Sequence, residues 1–171
     1  MVKQIHTNLI RELVSLMKNE DKEMCQSIID YLLELGYVPQ KQKVQGYVLS
    51  FKNSQVKQTI AKIGAFNNGD KGTFFSIKFY ACKNPPQKFT NAVQQAIESS
   101  NMQYRCCGCN ACGAQKEERG YHYIYPNGDE FIRCGAYVVK IPDLIPEDLN
   151  DFRNLLLEQH EYFLSRISIR L

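Results

Sequence analysis

The sequence predicts an α+β fold: an antiparallel sheet with helices packed on one face, in the order αα-βββ-α-ββ-α, and a cysteine-rich loop before the last hairpin. Three observations carry this expectation. Apolar residues recur at helical spacing at both ends of the chain and once in its middle. A period of two runs through residues 42–81 and returns at 121–141. Turn signals at Asn67-Asn68-Gly69-Asp70 and Pro126-Asn127-Gly128-Asp129 join strands as hairpins, and strands joined in that way pair antiparallel.

Taken in order, Leu9, Ile10, Leu13, Val14 and Met17 predict a first helix, and Met24, Cys25, Ile28, Ile29, Leu32 and Leu35 a second. Gly36 stands where a C-terminal cap belongs, and Val38-Pro39 ends the helix. Val44, Gly46, Val48 and Ser50 alternate with Gln45, Tyr47, Leu49 and Phe51, which predicts a strand, followed by strands at 59–66 and 73–81. Asn84-Pro85-Pro86 breaks this meander, and Phe89, Val93, Ala96 and Ile97 give a short amphipathic helix. Residues 121–125 and 130–141 form a hairpin whose long second strand is kinked or bulged near Gly135. Pro146-Glu147-Asp148 sets proline and two acids at the positive end of a last helix, whose apolar face is Leu149, Phe152, Leu156 and Phe163. The first hundred residues, helix, three-stranded meander and helix, resemble in element order the small bacterial αβββα domains likened to frataxin-type iron chaperones. The resemblance implies this arrangement and carries no functional residue.

At 171 residues, 44% of them hydrophobic and 23% charged, the chain supports one domain spanning 1–171, with 104–141 as a cysteine-rich loop and hairpin subregion. Its longest apolar runs are four or five residues, against about 20 needed to cross a bilayer, so no membrane partner is expected. The start, Met1-Val2-Lys3-Gln4-Ile5-His6, shows no apolar signal core, which predicts a cytoplasmic location. Charge is unevenly divided. Residues 36–105 carry ten bases against two acids, a net of +8, between two acidic segments. Nine of those bases are lysines spread over predicted strands, a pattern of solvated sheet edges rather than of bidentate phosphate recognition, so nucleic acid is not the expected partner. A nucleic-acid face would have to stack bases on Tyr47, Phe51, Phe75 and Phe79.

Chemistry concentrates in Arg105-Cys106-Cys107-Gly108-Cys109-Asn110-Ala111-Cys112-Gly113. The two-residue spacing of Cys109 and Cys112 lets a tight turn aim both sulfurs at one point, Cys106 or Cys107 supplies a third, and the hairpin returns Cys134 as a fourth. This donor set predicts a structural zinc site, with His122 as a substitute ligand. Three alternatives stand beside it: an iron–sulfur cluster on Cys106, Cys109, Cys112 and Cys134; a redox dithiol at Cys109 and Cys112 with Arg105 and Arg133 favouring thiolate; and ordinary reduced thiols. Tyr47, Phe79, Tyr123, Tyr137 and His160 are candidates for an aromatic small-ligand pocket, although an aromatic on a strand and a histidine on a helix face are more often packing residues. No phosphate loop, dinucleotide fingerprint, nucleophile elbow or His-Glu-x-x-His helix is present. The function expected is therefore a non-catalytic cytosolic binding domain with a cysteine-ligated zinc and an aromatic pocket. The alternatives are a thiol enzyme or sensor at Cys109 and Cys112, and an iron–sulfur or nucleic-acid-binding protein.

Overall fold

The computed structural model describes residues 2–66, 72–109 and 119–168. Helices α1 (Val2–Ser15) and α2 (Asn19–Glu34) open the chain. Gly36, at φ +79°, closes α2: its N–H reaches the Leu33 carbonyl and the Tyr37 N–H the Leu32 carbonyl, so the last orphan acceptors of the helix are satisfied. Strands β1 (Val38–Lys41), β2 (Tyr47–Asn53), β3 (Gln58–Phe66) and β4 (Gly72–Ile77) follow, then α3 (Gln87–Glu98). Strands β5 (Gly120–Ile124), β6 (Glu130–Cys134) and β7 (Val139–Ile141) lead through a single 3-10 turn into α4 (Leu149–Ser168).

The class is α+β, as the periodicities predict, with two refinements. The strand expected from residue 42 begins only at Tyr47, as β2, and residues 42–46 form the turn between β1 and β2. Gly46 at φ +82° makes that turn, and the Phe66 ring and Ala65 carbonyl occupy the space a side chain would need. The long strand expected over 130–141 is divided. Its first half, β6, pairs with β5 in a separate two-stranded sheet, and its second half, β7, pairs with β4 at the edge of a five-stranded sheet ordered β1-β2-β3-β4-β7. The division falls at Gly135, where an added Cβ would lie 2.9 Å from the Tyr80 ring, so only a residue without a side chain lets the chain change sheets there.

All ladders are antiparallel, and their register sorts the side chains into two faces. Leu49 pairs with Ile63, Ile63 with Phe75 and Phe75 with Ile141, an apolar row across four strands. This face joins Leu13, Ile28, Leu32, Phe89, Val93, Phe152 and Leu156 of the helices in one core. Each such side chain withdrawn from water contributes about 1.5–3 kcal/mol, which is what holds helices to sheet. One residue along, Gln40 pairs with Ser50, Ser50 with Lys62, Lys62 with Ser76 and Ser76 with Lys140. The opposite face thus carries a polar row across all five strands, yet Ser50 and Ser76 are buried. Among the described residues, no helix is long and apolar enough to cross a membrane.

Candidate functional site

Tyr104, Arg133 and residues 136–138 bring part of the cysteine-bearing hairpin and its flanks beside the polar face. The chain before the cysteines runs beside β6: Arg105 bridges Arg133, the Cys106 N–H donates to the Ile132 carbonyl (2.8 Å) and the Cys134 N–H to the Tyr104 carbonyl (2.7 Å). Gly120 lets β5 close on β6, since a Cβ there would lie 2.0 Å from the Arg133 carbonyl oxygen. The Tyr121 hydroxyl donates to the Tyr137 carbonyl (3.2 Å), tying the hairpin to the segment that leads into β7.

Between this wall and the outer sheet face lies a cleft of about 560 Å³. Lys52 of β2, Lys62 of β3, Lys78 just beyond β4 and Arg133 of β6 line it, and no carboxylate does. The Ser50 hydroxyl, held between Gln42 Nε2 (2.7 Å) and the Gln40 carbonyl (3.3 Å), and Thr59 add neutral polar groups. Lys78, 4% exposed, donates to Gln58 Oε1 at 3.2 Å. Arg133 is the unusual member. Its side chain is 8% exposed, and its Nε and Nη1 find no hydrogen-bond partner among the described residues. The guanidinium instead lies 6.0 Å from the Tyr104 ring and 5.9 Å from the Tyr121 ring. Cation–π contacts of this kind return about 0.5–2 kcal/mol, less than the desolvation of a buried charge costs. Arg133 also borders a second cleft of about 440 Å³, with Ser76 and Lys140 of the same polar row, so its charge sits in the partition between two cavities.

The cysteines occupy the far side of the hairpin. Cys106, opposite Ile132 and therefore diagonal to Cys134, is half-buried like Cys134, whereas Cys107 and Cys109 are exposed. Cys112 lies outside the described residues. Among the described residues no three of His, Cys, Asp and Glu gather closely enough to hold a metal, so Cys106, Cys107, Cys109 and Cys134 do not converge on one point here. His122 is engaged elsewhere, with Nδ1 2.8 Å from Glu130 Oε1 across the hairpin. Arg105 lies over the Phe131 ring (5.8 Å), Arg133 faces the cleft, and Arg119 acts on the Cys107 thiol. The backbone N–H and then the thiol of Cys109, with Arg119 behind them, hold the Cys107 thiol below its ordinary value. Burial has the reverse effect on Cys25, pushed up to about 12, and on Cys82, also raised.

The five aromatic-pocket candidates do not converge. Tyr47 is buried, its hydroxyl within hydrogen-bond distance of the Leu9 carbonyl and Glu12 Oε2; His160 pairs with Tyr37; Tyr123 packs on Tyr125 and reaches Gln94. Phe79 stacks edge-on with Phe89 and Tyr121 and borders a separate cleft of about 260 Å³. Tyr137 alone lines the cationic cleft, where it meets Tyr104. Phe51 and Phe75 are buried in the core beside Tyr47 and Phe79, so none of these four offers a ring face for base stacking. Missed from the sequence were Tyr104, Lys52, Lys62 and the role of Arg133. The signal for them was the polar phase of the strands, Ser50, Lys62 and Ser76, which marks a second, hydrophilic floor once the ladder register is known. No family model, curated protein or solved structure matches this chain.

Proposed function

We propose that the protein is a binding domain for a small anionic ligand, held in the cleft between the outer sheet face and the cysteine-bearing hairpin. The observation that carries this reading is Arg133, a nine-tenths buried guanidinium with two nitrogens unpaired among the described residues, facing a cavity whose described lining includes Lys52 and Lys62 and no acid. Lys52, Lys62 and the buried Arg133 guanidinium, brought to one cavity, repel one another, and an anion there offsets that repulsion. The test is calorimetric titration of the protein with inorganic phosphate at low ionic strength, alongside Arg133→Met. The expected result is binding that the substitution weakens at least about tenfold, while the free protein gains about 1–3 kcal/mol of stability because a buried unsatisfied charge is gone. Absence of binding, or equal binding by the variant, overturns the reading.

A second reading concerns the frame of the site. Cys106 and Cys134 are diagonal neighbours on paired strands, which supports a zinc clamp that would draw Cys109 and Cys112 to this pair, the metal supplying a tetrahedral thiolate crosslink and no chemistry. No disulfide joins any two of the six described cysteines, which suits a reducing, cytoplasmic compartment.

A further inference from the structure

The rim of the cationic cleft differs chemically from its floor. Tyr104 and Tyr137 stand there 48% and 50% exposed, their ring centroids 4.9 Å apart at an interplanar angle of 56°. The Tyr104 ring lies 6.0 Å from the Arg133 guanidinium, so one arginine links the aromatic rim to the cationic floor. The segment that delivers Tyr104 is held in an unfavourable backbone conformation: Asn101, Met102 and Tyr104 all have positive φ, at 48°, 57° and 62°. Such angles persist in non-glycine residues only where surrounding structure enforces them, here through the Cys134 N–H bond to the Tyr104 carbonyl. Two half-exposed phenol rings are thus kept at a basic cavity instead of being packed away.

We propose that the ligand is a planar aromatic ring carrying a phosphate ester, the chemistry of a nucleoside monophosphate, with the phosphate over Lys52, Lys62 and Arg133 and the ring against Tyr137. This rests on the anion reading above and adds the ligand's second half. Several lysine point charges suit a phosphate dianion, whose three terminal oxygens accept from different directions, better than a single carboxylate. The volume of about 560 Å³ lies in the range of small-molecule sites, and the Gln42 amide and Thr59 hydroxyl provide donors and acceptors for a sugar or ring edge. A polynucleotide is disfavoured because the rim offers one aromatic pair where a strand needs successive stacking platforms.

The experiment is calorimetric titration of the full chain at low ionic strength with adenosine monophosphate, uridine monophosphate, adenosine, inorganic phosphate and a twelve-nucleotide single-stranded RNA. The monophosphates are expected to bind about tenfold tighter than inorganic phosphate, the contribution of one stacked ring. Tyr137→Leu should erase that difference and leave phosphate affinity unchanged, while Tyr137→Phe, which keeps the ring, should preserve it. Equal affinity for monophosphates and phosphate overturns this proposal and leaves the anion site standing. No binding by any of the phosphates overturns both. RNA binding tighter than either monophosphate overturns the small-ligand form.

Discussion

His160 and Tyr37 meet edge-on, their ring centroids 5.5 Å apart, with the Tyr37 hydroxyl 3.1 Å from His160 Nδ1. Burial lowers the histidine pKa from 6.5, and Glu161 only partly opposes it; burial also raises the Tyr37 phenol. Because the folded-state pKa lies below the unfolded one, the unfolded chain binds more protons as pH falls through 6.5. The stability this pair contributes is therefore complete above 6.5 and is lost progressively below it. Thermal midpoints at pH 7.5 and 5.5 should show a fall on acidification that His160→Gln reduces, since glutamine bonds to the phenol without taking up a proton. An unchanged pH dependence in the variant would remove His160 as its source. The helix periodicity made this packing role legible, because His160 follows Leu156 by one turn on the apolar side. Arg133 was not legible in that way. Its neighbours in sequence are Ile132 and Cys134, which draw attention to thiol chemistry, while its neighbours in space come from Tyr104 and from a sheet face set by long-range register.

At the scale of elements, the helices, the meander and the hairpin turn followed from local periodicity and turn chemistry, because those signals are complete within about ten residues. The change of sheet at Gly135 was not, since it depends on Tyr80, a residue more than fifty positions earlier. That change of sheet is what builds the cleft: β7 anchors in the five-stranded sheet and β6 stands apart from it, carrying Arg133 on the same strand as Cys134. The cleft wall and the cysteine cluster are therefore one mechanical unit. If zinc clamps that unit, Cys134→Ser should lower the zinc content from about one per chain toward zero and the thermal midpoint by about 10 °C, because metal-binding energy in such sites is folding energy. Elemental analysis and calorimetric melting of protein purified without added metal would decide it. A metal-free protein with an unaltered midpoint leaves Cys106, Cys107, Cys109 and Cys134 as ordinary thiols.

Across the whole molecule, the +8 of residues 36–105 is distributed by the fold in a way the linear sequence could not show. Lys41 is taken up by Glu12 of the acidic N-terminal segment (3.4 Å) and lies over the Tyr47 ring, and Lys88 pairs with Asp148. Lys52 and Lys62 line one cleft instead, where low-dielectric walls concentrate their field. The bland expectation for a lysine-rich strand, that its charges keep sheet edges soluble, thus applies to part of the set only. The cleft lysines should be sensed by a bound dianion as charges and not as specific contacts, and three consequences follow from that. Raising salt from about 20 mM to about 200 mM should weaken phosphate affinity about tenfold, as the Debye length falls from roughly 20 Å to below 8 Å. Lys62→Gln should weaken binding several-fold at low salt and shallow the salt dependence, whereas Lys41→Gln, removing a charge already paired with Glu12, should change neither. Titrations of the three proteins at a series of salt concentrations measure both quantities at once. If Lys41→Gln reduces affinity as much as Lys62→Gln does, the attraction comes from net charge and not from the cleft, and the focusing argument fails.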